Sequence, residues 1–240
     1  MKTLVNNAEM EEIGENIIRR YLGRRKFAPR CIDIEGFIRD YLHLSIEYAV
    51  IADGDYDKIG FLSDGEYALG VVENGQTVKR IYPKGTIAID RSLLKDDQSG
   101  RRRFTLAHEA AHVLYERMSP TAQGPCFKRV YDDERTYDLA ELRKRLNLGE
   151  VQVDRLGSIL LMPRFLVEQT LRDFCFALAI PIYGENVIRS KDKLAIQKMA
   201  DDVGASYSAF LNRLKELNMV EYHSMEEYLD LEMNFDGGMA

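Results

Sequence analysis

The sequence predicts an α+β protein: helices, then a block of short strands, then helices again, without regular alternation of the two. Three observations carry this. Ile13, Ile17, Ile18 and Tyr21 recur at helical spacing near the start of the chain. Between residues 45 and 90 the period changes to short segments rich in Val, Ile and Tyr, punctuated by Asp and Gly. From residue 101 onward helical spacing returns and persists. A chain of 240 residues that is 45% hydrophobic and 30% charged is long enough to bury a core without disulfide or metal staples.

Taken in order, residues 10–21 form an amphipathic helix. The bases at and beyond its end (Arg19, Arg20, Arg24, Arg25, Lys26) make a solvated helix end. Asp33 is placed to cap a second helix that buries Ile34, Phe37, Ile38, Tyr41 and Leu42. Segments 45–51, 60–62, 67–73, 77–82 and 86–90 read as a small, mostly antiparallel sheet. Within it Asn74-Gly75 supplies the two positive-φ residues of a type I′ hairpin turn. A central helix covers about 101–118, with Phe104, Ala107, Ala111, Leu114 and Met118 as its core stripe, and Pro120 follows its end. A short helix is expected at 134–146, and further helices at 149–162, 164–178, 191–203 and 206–218, with Ser206 as a cap. The chain thus divides into a domain at 1–165, a helical subdomain at 166–220 with a helix-turn-helix-like pair, and an acidic tail at 221–240.

Charge narrows the function. Of 39 acids, Glu221, Glu226, Glu227, Asp230, Glu232 and Asp236 lie beyond residue 218, where there is no Lys or Arg. Residues 1–218 are therefore neutral, with 33 bases against 33 acids. A neutral body argues against gripping nucleic acid through bulk charge. Residues 1–15 lack the apolar stretch of a signal peptide, and the longest apolar run, 174–183, is far short of a membrane span. Cys31, Cys126 and Cys175 are odd in number and far apart, as free thiols in a reducing compartment are. The expectation is a cytoplasmic protein without membrane contact.

The central helix carries the chemistry. His108-Glu109-Ala110-Ala111-His112 is an H-E-x-x-H motif in a chain with only four histidines. Residues four apart share a helix face, so both imidazoles can reach one zinc ion. Glu109 lies beside that face, where its carboxylate can act as general base toward a water at the metal. A catalytic zinc takes three protein ligands and one water. Glu150 is a candidate for the third ligand, with Glu134, Glu141 and Glu168 competing. Asp154, four residues after Glu150, stands on the same helix face and could accept a hydrogen bond from the second ring nitrogen of a ligand histidine. Candidates for stabilising an oxyanion are Tyr137, Tyr183, His223 and the arginines 101, 102 and 103.

Two stretches together resemble a known family. Arg102-Arg103-Phe104-Thr105-Leu106-Ala107-His108-Glu109-x-x-His112, and then Glu150-x-x-Val153-Asp154-x-Leu156-Gly157-x-x-Leu160-Leu161-Met162-Pro163, are similar to the ImmA/IrrE metallopeptidases. Their patterns are R-R-F-T-x-A-H-E-x-x-H and E-x-x-A-[DN]-x-F-A-x-x-L-L-M-P. The resemblance implies a zincin-like minimal metallopeptidase of the gluzincin kind, with Glu150 as third zinc ligand and Asp154 orienting a ligand histidine. It also implies an intracellular endopeptidase that cuts a helix-turn-helix repressor encoded nearby in a phage-like or integrative element, relieving repression. The chain departs from the pattern at Ala111, where Gly is usual, and at Val153, Leu156 and Gly157. These changes read as size compensation between two packed helices. The stretch from His112 to Glu150 is also longer than usual.

Two other readings compete. A DNA-binding regulator would use the helix pair around Gly204, whose bases and acids nearly balance. A catalytically idle module would bind the repressor without cutting it. For the peptidase, strand 86–90 ahead of the central helix is the expected edge on which an extended substrate segment would pair, testable by Ile87→Pro.

Overall fold

In a computed structural model of the chain, the described residues are 6–23, 29–52, 59–118, 148–175 and 178–236. They form an α+β fold that divides into two compact units, Met1–Pro163 and Arg164–Ala240. The expected helix at 134–146, and with it Glu134, Tyr137, Glu141 and Cys126, lies outside the described residues.

The first unit begins with α1 (Asn7–Leu22), held at its start by a capping box between Asn6 and Glu9. Asp33 accepts from the Gly36 amide at 2.9 Å, as expected of a cap, and starts α2 (Ile34–Gly36), which runs into a single π turn, Phe37–Tyr41. Five strands follow: β1 (Ser45–Ala49), β2 (Gly60–Leu62), β3 (Ala68–Glu73), β4 (Gln76–Ile81) and β5 (Thr86–Asp90). The hairpin turn has the expected positive φ at Asn74 (52°) and Gly75 (79°).

Most of the pairings among these strands are antiparallel, as the sequence leads one to expect, and the exception is β1–β5. The sheet is mixed: β5 pairs parallel with β1 and antiparallel with β2, in the order β1-β5-β2. The β3–β4 hairpin joins through the chain just past β1, where Ala52 N–H donates to Gly70 O and Val72 N–H to Val50 O, both at 2.8 Å. β5 is therefore not an edge. It sits in the middle, with Thr86, Ile87, Ala88 and Ile89 all buried, as a strand covered on both faces should be. Among the described residues the terminal strand on that side is β2.

α3 (Ser99–Met118) packs against β2, β5 and α2, and α4 (Leu148–Leu161) packs against both α3 and α1. Covered from several sides, α3 is buried continuously from Thr105 to His112 rather than along one stripe. Arg103 Nη2 donates to Ile32 O at 2.7 Å and Arg102 pairs with Glu35, so these arginines tie the start of α3 to α2.

The second unit comprises α5 (Arg164–Cys175), β6 (Ile180–Tyr183), α6 (Ser190–Val203), α7 (Tyr207–Glu216), β7 (Val220–His223) and α8 (Met225–Asp236). Gly204 ends α6 in the left-handed region (φ 69°), and Ser206 Oγ accepts from the Ala209 amide to cap α7. Beside the expected helices this unit holds two strands, the second at the start of the acidic segment. β6 and β7 pair in parallel from Ile180↔Val220 to Tyr183↔His223, so the first residues of the acidic segment complete a strand pair. Parallel strands need a long crossover, here α6 and α7, which no local pattern announces.

Candidate metal centre

Three side chains from two helices converge. His108 and His112, one turn apart on α3, bring their Nε2 atoms to 3.0 Å. Glu150, in the first turn of α4, places Oε2 3.6 Å from each of those nitrogens. Bonds of about 2.0–2.1 Å to a tetrahedral ion separate its ligand atoms by about 3.3–3.4 Å. The three edges observed here bracket that value, so the group is positioned to bind a metal ion.

The second ring nitrogen of His108 is also engaged. Nδ1–H donates to Asp154 Oδ1 at 2.7 Å. A carboxylate is acceptor-only, which puts the proton on Nδ1 and leaves Nε2 with the lone pair a cation requires. Glu150 and Asp154, four apart on α4, thus act on the same imidazole at its two nitrogens: one would share an ion with it, the other fixes its tautomer. Asp154 is 42% exposed and Glu150 28%, whereas His108 is 1% and His112 4% exposed.

Glu109 is fully buried on α3, next to the ligand histidine, and its carboxylate lies against the backbone of β2. The α3–α4 contact that sets this geometry depends on Gly157. A Cβ there would come 3.2 Å from His108 N and 3.3 Å from His108 Cα. Tyr115 OH, donating to Gln152 Oε1 at 2.7 Å, ties the same two helices a turn further on.

The other residues raised by the sequence fall elsewhere. Glu168 pairs with Arg164 and Arg172 in the second unit. Tyr183 and His223 pack on each other there, with ring centroids 5.3 Å apart and planes tilted by 32°. Spacing marks none of residues 60, 115, 152 and 157 as a site residue. Only the glycine inside a strand pattern, a mark of close backbone approach, offers a signal for residue 60.

The fold and site together define an α+β protein with a two-histidine, one-glutamate group arranged for a metal ion. In comparison with known proteins, no family model matches the chain and no curated protein matches it. No helix among the described residues is long and apolar enough to cross a membrane.

Proposed function

We propose that the protein is a zinc-dependent endopeptidase of the zincin kind, acting in the cytoplasm on a specific protein substrate. The observation that carries this is the convergence of His108, His112 and Glu150, with Asp154 on His108 and Glu109 beside it. Two imidazoles and one carboxylate suit zinc and leave a fourth position for water and substrate. Zinc held there would supply a Lewis acid that acidifies water and polarises a carbonyl. Glu109 takes the proton of the attacking water and delivers it to the leaving amine. His108, held by Asp154, keeps its orientation while charge develops beside it.

The substrate strand is assigned to β2 in place of β5. On β2, Ile59 O accepts from Asp90 N and Ser63 N donates to Thr86 O, so the odd-numbered residues face β5. By alternation, the amides and carbonyls of Gly60 and Leu62 point to the far side. An extended peptide added there would run past Glu109. The two-motif resemblance supports a helix-turn-helix repressor as the substrate, without direct contact of this chain to nucleic acid.

The test is incubation of purified protein and zinc with a candidate repressor, beside Glu109→Gln. Specific cleavage that falls about 10²–10⁴-fold in the variant is expected. A DNA mobility shift without cleavage would favour the regulator instead, and repressor binding without cleavage an idle module.

A further inference from the structure

We propose that Gly60 is a positioning residue for Glu109: the missing side chain on β2 is the space in which the Glu109 carboxylate is held. This rests on the reading of Glu109 as the peptidase base. Gly60 is not among the residues with positive φ, so conformational freedom does not explain a glycine there. Space does. A Cβ at residue 60 would lie 2.7 Å from Glu109 Oε1, 3.4 Å from Glu109 Cδ and 2.6 Å from Thr105 Cγ2. Contacts that short require something to move.

The strand cannot easily be what moves. β2 is bonded to β5 on both sides of Gly60, through Ile59 O at 2.9 Å and Ser63 N at 2.8 Å. Phe61, the next residue, is fully buried and packs on Tyr67 with centroids 5.7 Å apart. The α3 backbone is equally fixed, with Gly157 of α4 close against His108. Thr105 is anchored by its hydroxyl, which donates to Arg101 O at 3.0 Å. Of the two side chains met, Glu109 is the freer, and a methyl group at residue 60 would turn its carboxylate away; the Thr105 methyl contact is a separate clash, removed on its own by Thr105→Ser. None of the three nearest atoms belongs to His108, His112 or Glu150, so the metal group should survive the change.

Gly60→Ala should bind zinc with affinity within about twofold of the parent, since the metal group does not include it. Its kcat should fall about 10²-fold, the scale of an ångström-sized misplacement of a reacting group. Unchanged kcat, or zinc affinity falling in parallel, overturns the proposal. The Thr105 contact is separated by the pair Thr105→Ser and Gly60→Ala/Thr105→Ser, since serine keeps the hydroxyl and deletes the methyl. Low kcat in the double variant relative to Thr105→Ser is expected; recovered kcat assigns the effect to Thr105 packing and overturns it. A thermal unfolding cycle in the Thr105→Ser background reads the same contact without catalysis. Gly60→Ala should cost several degrees when residue 109 is Glu and little when it is Ala. Equal losses in both backgrounds overturn the proposal. If the coupling appears but no repressor is cut, the peptidase reading fails while the Gly60–Glu109 contact stands.

Discussion

His108 has both ring nitrogens committed, Nε2 toward His112 and Glu150 and Nδ1 to Asp154. Removing the Asp154 acceptor leaves the buried ring free to take the wrong tautomer, with the proton on the nitrogen that should face the ion. Asp154→Ala should therefore weaken zinc binding about 10–100-fold, read by competition with a chromophoric chelator, while the fold is kept. An affinity equal to the parent's would mean that the hydrogen bond does not orient the ligand. At this scale the sequence was highly legible. His108, Glu109 and His112 are visible because their relation is local, one turn of one helix. Glu150 and Asp154 are visible as a pair for the same reason. That Glu150 rather than Glu168 meets the histidines is a contact between α3 and α4, which spacing along either helix does not encode.

Between elements, the deciding contact is that of α4 on α3. Gly157 lies against the backbone of Ala107 and His108, at distances where an added Cβ meets main chain rather than a flexible tip. Gly157→Ala should push α4 outward, carrying Glu150 and Asp154 with it. Overpacking of this kind costs about 1–3 kcal/mol. Calorimetry should show the loss in stability and a metal titration a weaker site; a variant as stable and as tight as the parent would place the helices further apart than found here. The sequence marks residues 111, 153, 156 and 157 as compensating changes without showing which face meets which. The sheet was legible in its strands and its Asn74-Gly75 turn, which are local signals. The central place of β5 was not. Its continuous burial reads as a short apolar run, and runs of that length do not distinguish a covered strand from an edge. β2 as the substrate edge has its own test. Leu62→Pro deletes an amide that points away from β5 and leaves the β2–β5 bonds intact. Cleavage should be lost with little change in melting temperature, and retained cleavage would move the substrate off β2.

For the whole molecule, the metal group lies entirely within the first compact unit, on α3 and α4. In the second unit Ile180, Ile182, Ile196, Met199, Phe210 and Leu214 are buried. A ligand stabilises only what folds to bind it, by about 2.7 kcal/mol at a hundredfold excess over Kd. Thermal unfolding should therefore resolve two transitions, with chelation lowering one and leaving the other in place. A single transition that moves as a whole would show the units unfolding cooperatively. The same division changes how the acidic end is to be tested. Removing everything after residue 218 would delete β7 along with the acids and unpair β6, so a loss of cleavage could reflect a damaged fold. Reversing charge on exposed α8 positions, as in Glu226→Lys with Asp230→Lys, leaves the β6–β7 pair and the Ser224–Glu227 cap in place. If the net charge of −6 serves solubility alone, cleavage in moderate salt should be unchanged while the protein precipitates more readily near neutral pH. A KM that rises in the variant, and converges with the parent's as salt is added, would instead show that the acidic end attracts the substrate.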